Sequence, residues 1–169
     1  MTTIPTTRPA LHRTTTTVED AVRRAQVLLD RHSITLLRWS LGFVFLLFGA
    51  LKFVPGLSPA ADLATRTVEA LTFGLVTGPS ALLMTATLET FIGITLLSGR
   101  FLKAGLAVLG MSLVGIMSPL VLFPGELFPA GPTSVGQYVI KDVVLVAGGL
   151  VVAAHALGAR LTRREDVRH

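Results

Sequence analysis

Four ionisable side chains, Lys52, Glu89, Lys141 and Asp142, interrupt stretches that are otherwise apolar. On insertion scales a charge at the centre of a membrane helix costs about 2.5–3.5 kcal/mol, so each needs a partner, a function or a route to the headgroups. Carboxylates in that setting can relay protons or hold a polar headgroup, and lysines can neutralise them. Glu89 stands deepest, about 12 Å into its apolar run at 1.5 Å per residue. Thr85, Glu89 and Gly93 follow one another at helical spacing and form a polar, small-residue stripe that should face other helices, since lipid offers a carboxylate nothing. Lys141 and Asp142 are adjacent, hence about 100° apart on a helix, and cannot address one partner. The expected arrangement pairs Asp142 with one lysine and Glu89 with the other. With Thr85 and Tyr138 these residues make the candidate intramembrane polar site. The bland alternative is that both lysines snorkel to the headgroups and the carboxylates only glue helices together.

The elements that must position these groups are four apolar runs. Segments 39–51, 70–88, 104–125 and 143–159 contain no Asp, Glu, Lys or Arg. Such runs approach the roughly 20 residues that span a bilayer. Only 15% of the 169 residues are charged, against about 25% in a soluble domain, leaving too little polar surface to cover four buried segments. The fold class expected is therefore all-α membrane protein, with spans at about 34–54, 81–98, 101–123 and 136–157. Backbone in hydrocarbon must satisfy its own hydrogen bonds, which selects helices. A loop at 55–80, a tight turn at 99–100 and a medium loop at 124–135 imply an up-down-up-down bundle. Residues 1–17 are threonine-rich and aperiodic and read as a disordered tail, 18–33 as an amphipathic interfacial helix, and 158–169 as a basic tail.

Every basic residue except Lys52, Arg66 and Lys141 falls before or within the first turns of the first span, at the turn between the second and third spans (Arg100 and Lys103) or in the C-terminal tail. By the positive-inside rule both termini face the cytoplasm. The net charge of +5 is thus a topology signal and a match for anionic lipid, and nucleic acid is not expected as a partner. Trp39 and Tyr138 fall at opposite edges, where aromatic belts form.

Within 55–80, Ser58 to Phe73 reads as a helix with a serine cap and Pro59 in its first turn. Leu63, Val68, Leu71 and Leu75 would cover the outer mouth of the bundle, as a lid or as an inert interfacial helix. The chain has no cysteine, which excludes thiol chemistry and iron–sulfur ligation. His12, His32, His155 and His169 show no ligand spacing, so no metal or haem is expected. There is no nucleophile elbow and no phosphate-binding glycine loop, hence no self-contained catalytic motif.

Several short motifs occur in order along 34–157. The first is Leu36-Leu37-Arg38 with Gly42-Phe43-Val44-Phe45 and Gly49-Ala50-Leu51-Lys52-Phe53-Val54-Pro55. Leu88-Glu89-x-x-Ile92-Gly93-x-x-Leu96-Leu97 and Gly99-Arg100 follow, then Ser118-Pro119-Leu120-Val121, then Gly136 to Asp142 with Leu145-x-Ala147-Gly148. This set resembles DoxX-like integral membrane proteins, and within them the YkgB branch that contains reactive-chlorine-resistance proteins. The resemblance implies four inner-membrane helices, with Lys52, Glu89, Lys141 and Asp142 at recurrent polar positions. It further implies a link to oxidative or reactive-chlorine stress, or to membrane redox partners. DoxX relatives include quinone-linked oxidoreductase subunits and helpers of disulfide-forming maturation. The chain departs from the branch at Phe128-Pro129-Ala130-Gly131-Pro132, where a histidine pair is usual.

Three functions remain open at this level. One is a redox- or stress-associated accessory protein that binds a quinone or a lipid near Glu89. Another is a small proton-coupled transporter using Glu89 and Asp142. The third is a structural membrane subunit. The partners expected are the lipid bilayer and either a second copy of the chain or a membrane redox protein.

Overall fold

The structure, a computed structural model, describes residues 10–159, with side chains from Val18 onward. Every regular element among them is helical: α1 (Ala10–Lys52), α2 (Ala61–Leu71), α3 (Gly78–Ser98), α4 (Leu102–Met117), α5 (Pro119–Leu122), α6 (Pro124–Leu127), α7 (Ser134–Lys141) and α8 (Val143–Ala156). Four stretches are long and apolar enough to cross a membrane: Val18–Lys52, Gly78–Ser98, Leu102–Leu122 and Ser134–Ala156. By contacts the described residues through Thr35 form one unit and those from Leu36 another, and the site described below belongs wholly to the second.

Several boundaries differ from expectation. One helix replaces the separate interfacial helix at 18–33 and span from 34, and it already includes 10–17, which composition assigned to a disordered tail. No glycine or proline occurs between Pro9 and Gly42, so nothing breaks the run once it is helical. The tail residues 1–9 and 160–169 lie outside the described residues. In α3 the helix opens at Gly78 with Pro79 in its first turn, three residues before the expected start, because a proline there surrenders only an N–H that has no intrahelical partner. The third span divides at Pro119 into α4 and α5, with Ser118 still right-handed at the junction. The fourth divides at Asp142. Thr133 caps α7, its hydroxyl accepting from the Gly136 amide at 3.0 Å.

The turn between α3 and α4 is tight as expected: Gly99 (φ 70°) and Phe101 (φ 54°) are both left-handed. Phe101 adopts that conformation without glycine's freedom, so the backbone there is strained.

One residue or more from each span meets in the core: Leu41 and Phe45 from α1, Ile92 and Leu96 from α3, Leu109 and Leu113 from α4, and Val152 from α8. Large apolar side chains also point outward, among them Phe43, Val114, Val144 and Leu150. Apolar residues on every side of a helix suit a segment packed on protein at one face and lipid at the other. Gly148 sits against Leu37 and Leu41, and Gly149 against Leu109 and Leu113, so the small stripe on α8 lets that helix approach both α1 and α4.

Candidate functional site

The site begins where α1 and α3 cross. At Gly93 an added Cβ would lie 2.5 Å from the Leu46 backbone nitrogen, and at Gly49 2.7 Å from that of Thr90. Both contacts are with backbone, which cannot step aside, so only glycine permits this separation. The crossing brings together two residues 37 positions apart: Lys52 Nζ donates to Glu89 Oε2 at 2.6 Å, with the side chains 5% and 9% exposed. Lys52 is the last residue of α1, and Glu89 stands one turn before Gly93 on α3. A buried charge pair of this kind persists because the alternative is an unpaired ion in a low dielectric.

The pair borders a cavity of about 260 Å³. Phe45 and Phe48 of α1, Leu88 of α3, Met111 and Ile116 of α4, and Leu145 of α8 supply apolar walls. Polar groups enter from several sides: Lys52, Glu89, Thr85, Ser112, Tyr138 and Asp142. The Thr85 hydroxyl donates to the Ala81 carbonyl at 3.0 Å, which is the usual way a helix absorbs a threonine. Tyr138 stands edge-on to Phe48, with ring centroids 5.7 Å apart and planes at 78°. Asp142 lies within electrostatic reach of both Glu89 and Lys52.

Five of the six residues expected at the site therefore line one cavity. Lys141 does not. It is exposed, absent from the lining, and forms no ion pair among the described residues. The expected exchange, one lysine for each carboxylate, is corrected accordingly: Lys52 serves Glu89, and Asp142 has no lysine partner. Turning Asp142 inward turns its neighbour outward, since adjacent helical residues differ by about 100°.

Helix α2 closes another side through Leu63, Thr67, Val68 and Leu71. Leu75, expected among them, is 88% exposed. Ser58 does not cap this helix; α2 starts at Ala61 after Ala60, and the Ser58 hydroxyl is buried without a partner. Two tethers hold α2. The Arg66 guanidinium donates to both Glu126 oxygens of α6, at 2.8 and 2.5 Å, and lies 4.8 Å above the Phe123 ring. At its other end Glu69 accepts from the Gly78 amide at 2.8 Å, placing an anion at the start of α3 where the helix dipole favours one. Hydrogen bonding to Arg66 holds the Glu126 carboxyl below the usual carboxylate range, and the same contact raises Arg66 further.

Sequence reasoning passed over Ser112, Gly115 and the Arg66–Glu126 contact. Ser112 is the informative omission. Its hydroxyl is fully enclosed, lines the cavity and has no hydrogen-bond partner, although the carbonyl one turn back is available to it in most helices. A serine in the middle of the apolar run 104–125, away from the Ser118-Pro119 break, was the signal. Among the described residues no three His, Asp or Glu side chains converge as metal ligands would.

Compared with family models, curated proteins and solved structures, the chain matches none.

Proposed function

We propose that this protein holds an amphiphile within the membrane, its polar head against Lys52, Glu89, Asp142 and Tyr138 and its tail along the apolar walls. The observation that carries the reading is a cavity with charged groups and unspent hydrogen-bonding capacity set among apolar side chains inside a four-span helical protein. A dry apolar void needs no such groups, and a purely structural ion pair needs no void beside it. The volume suits one substituted ring or a glycerol-sized head with the first carbons of a tail; an engineered apolar cavity of about 150 Å³ already binds benzene. A quinone or a lipid is therefore the ligand class. A quinone would supply two-electron chemistry when bound; the chain's own groups bind, orient and exclude water.

The resemblance to DoxX-like proteins of the YkgB branch supports a redox- or stress-associated accessory role in a bacterial-type inner membrane. The distribution of basic residues supports an up-down-up-down arrangement with both termini cytoplasmic. A second reading, proton-coupled transport, draws on one observation: Asp142 is a carboxylate in the cavity without an ion-pair partner among the described residues.

Native mass spectrometry of the detergent-purified chain tests the proposal. The expected spectrum carries an added mass in the range of a quinone or lipid. Gly115→Leu should abolish it, because Gly115 lines the cavity and has room at its Cβ position, with no atom within 4 Å, for a side chain to start filling that space. A ligand-free spectrum after reconstitution with membrane lipids and quinone analogues overturns the reading. Proton flux in liposomes, lost in Asp142→Asn, would favour the transporter instead.

A further inference from the structure

The cavity has two groups whose hydrogen bonds are unmade, and they complement each other. Asp142 occupies the first position before α8, where an aspartate commonly caps the helix, yet its side chain makes no capping bond. It also makes no ion pair among the described residues. An ionised carboxylate only accepts. The Ser112 hydroxyl is enclosed, unpartnered and on the same cavity, and it can donate. An enclosed hydroxyl left unmet costs about 1–3 kcal/mol, and the half-buried Asp142 carboxylate beside the same cavity is an acceptor without a protein partner, so the two suit a ligand group that donates a hydrogen bond to one and accepts from the other.

A hydroxyl group meets both demands. A quinone carbonyl only accepts and would set oxygen lone pairs against the Asp142 carboxylate. An anionic head would add a like charge to a cavity that already holds two carboxylates and one lysine, with that lysine bonded to Glu89. We infer that Asp142 and Ser112 together recognise a hydroxyl, so that the cavity selects an uncharged, hydroxyl-bearing amphiphile. Two sources share this chemistry: a hydroquinone ring and a glycerol lipid. The inference rests on the amphiphile-binding proposal and sharpens it from ligand class to headgroup.

Calorimetric titration of the full chain in detergent tests it, under argon where the probe is a hydroquinone. The probes are decyl-benzohydroquinone, its dimethyl ether, decyl-benzoquinone and monodecanoylglycerol. At least one hydroxyl-bearing probe is expected to bind about tenfold or more tightly than the ether and the quinone, the worth of a single hydrogen bond to a charged group. Which of the two it is distinguishes ring from glycerol. Asp142→Asn should remove that advantage, and Ser112→Ala should reduce it a few-fold. The wild-type comparison needs no variant, so a misfolded mutant leaves the inference exposed to refutation. No advantage of either hydroxyl-bearing probe over the ether and the quinone overturns the headgroup assignment alone. Binding of none of the probes overturns it together with the amphiphile proposal.

Discussion

Lys52 donates to Glu89 at 2.6 Å across the α1–α3 crossing, and both side chains are almost wholly removed from the surroundings. The contact exists because Gly49 and Gly93 let two backbones come closer than any side chain would allow. The polar end of the cavity is thus an outcome of packing, with charge placed by glycine.

Breaking this pair should cost more than deleting it. Lys52→Met or Glu89→Met alone leaves a buried charge without its partner and should destabilise by about 3–5 kcal/mol. The double variant Lys52→Met, Glu89→Met should recover much of the loss. Thermal unfolding in detergent reads both, and additive losses in the double variant would count against a coupled pair.

The crossing itself is open to test through glycine. Gly93→Ala places a methyl group against the Leu46 backbone and should destabilise by about 1–3 kcal/mol through overpacking. Gly110→Ala meets nothing within 4 Å and should be neutral or stabilising by up to about 1 kcal/mol, since alanine is the better helix former. Equal melting temperatures for the two variants would contradict the close approach.

The α2 tether has a defined pH response. Glu126 is held below its ordinary carboxylate range, so its contribution is complete above about pH 4.3, the unfolded glutamate value, and is lost only as pH falls through the lower folded one. Arg66 is raised, so its part is complete below the ordinary arginine value and fades only in strong alkali. Hydrogen-exchange protection of α2 amides should therefore hold flat through neutrality and drop in acid. Glu126→Gln should lower protection a few-fold at pH 7, modest because the pair is exposed to solvent. Unchanged protection in that variant would mean the tether does not hold the helix.

Topology can be read with single cysteines, because the chain has none of its own. Introduced at Gly125, between the third and fourth spans, a cysteine should react with an impermeant maleimide added to intact cells. At Ala159, past α8, it should react only after permeabilisation. The reverse pattern would invert the orientation derived from the basic residues.

Composition and punctuation made much of the architecture legible. Four uncharged runs, together with the breaks at Pro55-Gly56, Gly78-Pro79, Gly99 and Pro124-Gly125, mark the four apolar stretches that the structure forms as helices. The cost of a charge in an apolar helix singled out Glu89 and its company. What periodicity cannot supply is the rotation of one helix about its axis relative to another, and that rotation decided the site. Packing of Gly148 and Gly149 on α1 and α4 accompanies a setting of the last span that turns Asp142 inward and Lys141 outward, leaving Lys52 as the partner of Glu89. The same limit hid Ser112 and the Arg66–Glu126 contact, whose members are 60 residues apart and meet only once α2 and α6 are in place. Hydropathy is a property of a segment and survives being read in one dimension. Pairing depends on distances between segments, which close packing alone determines.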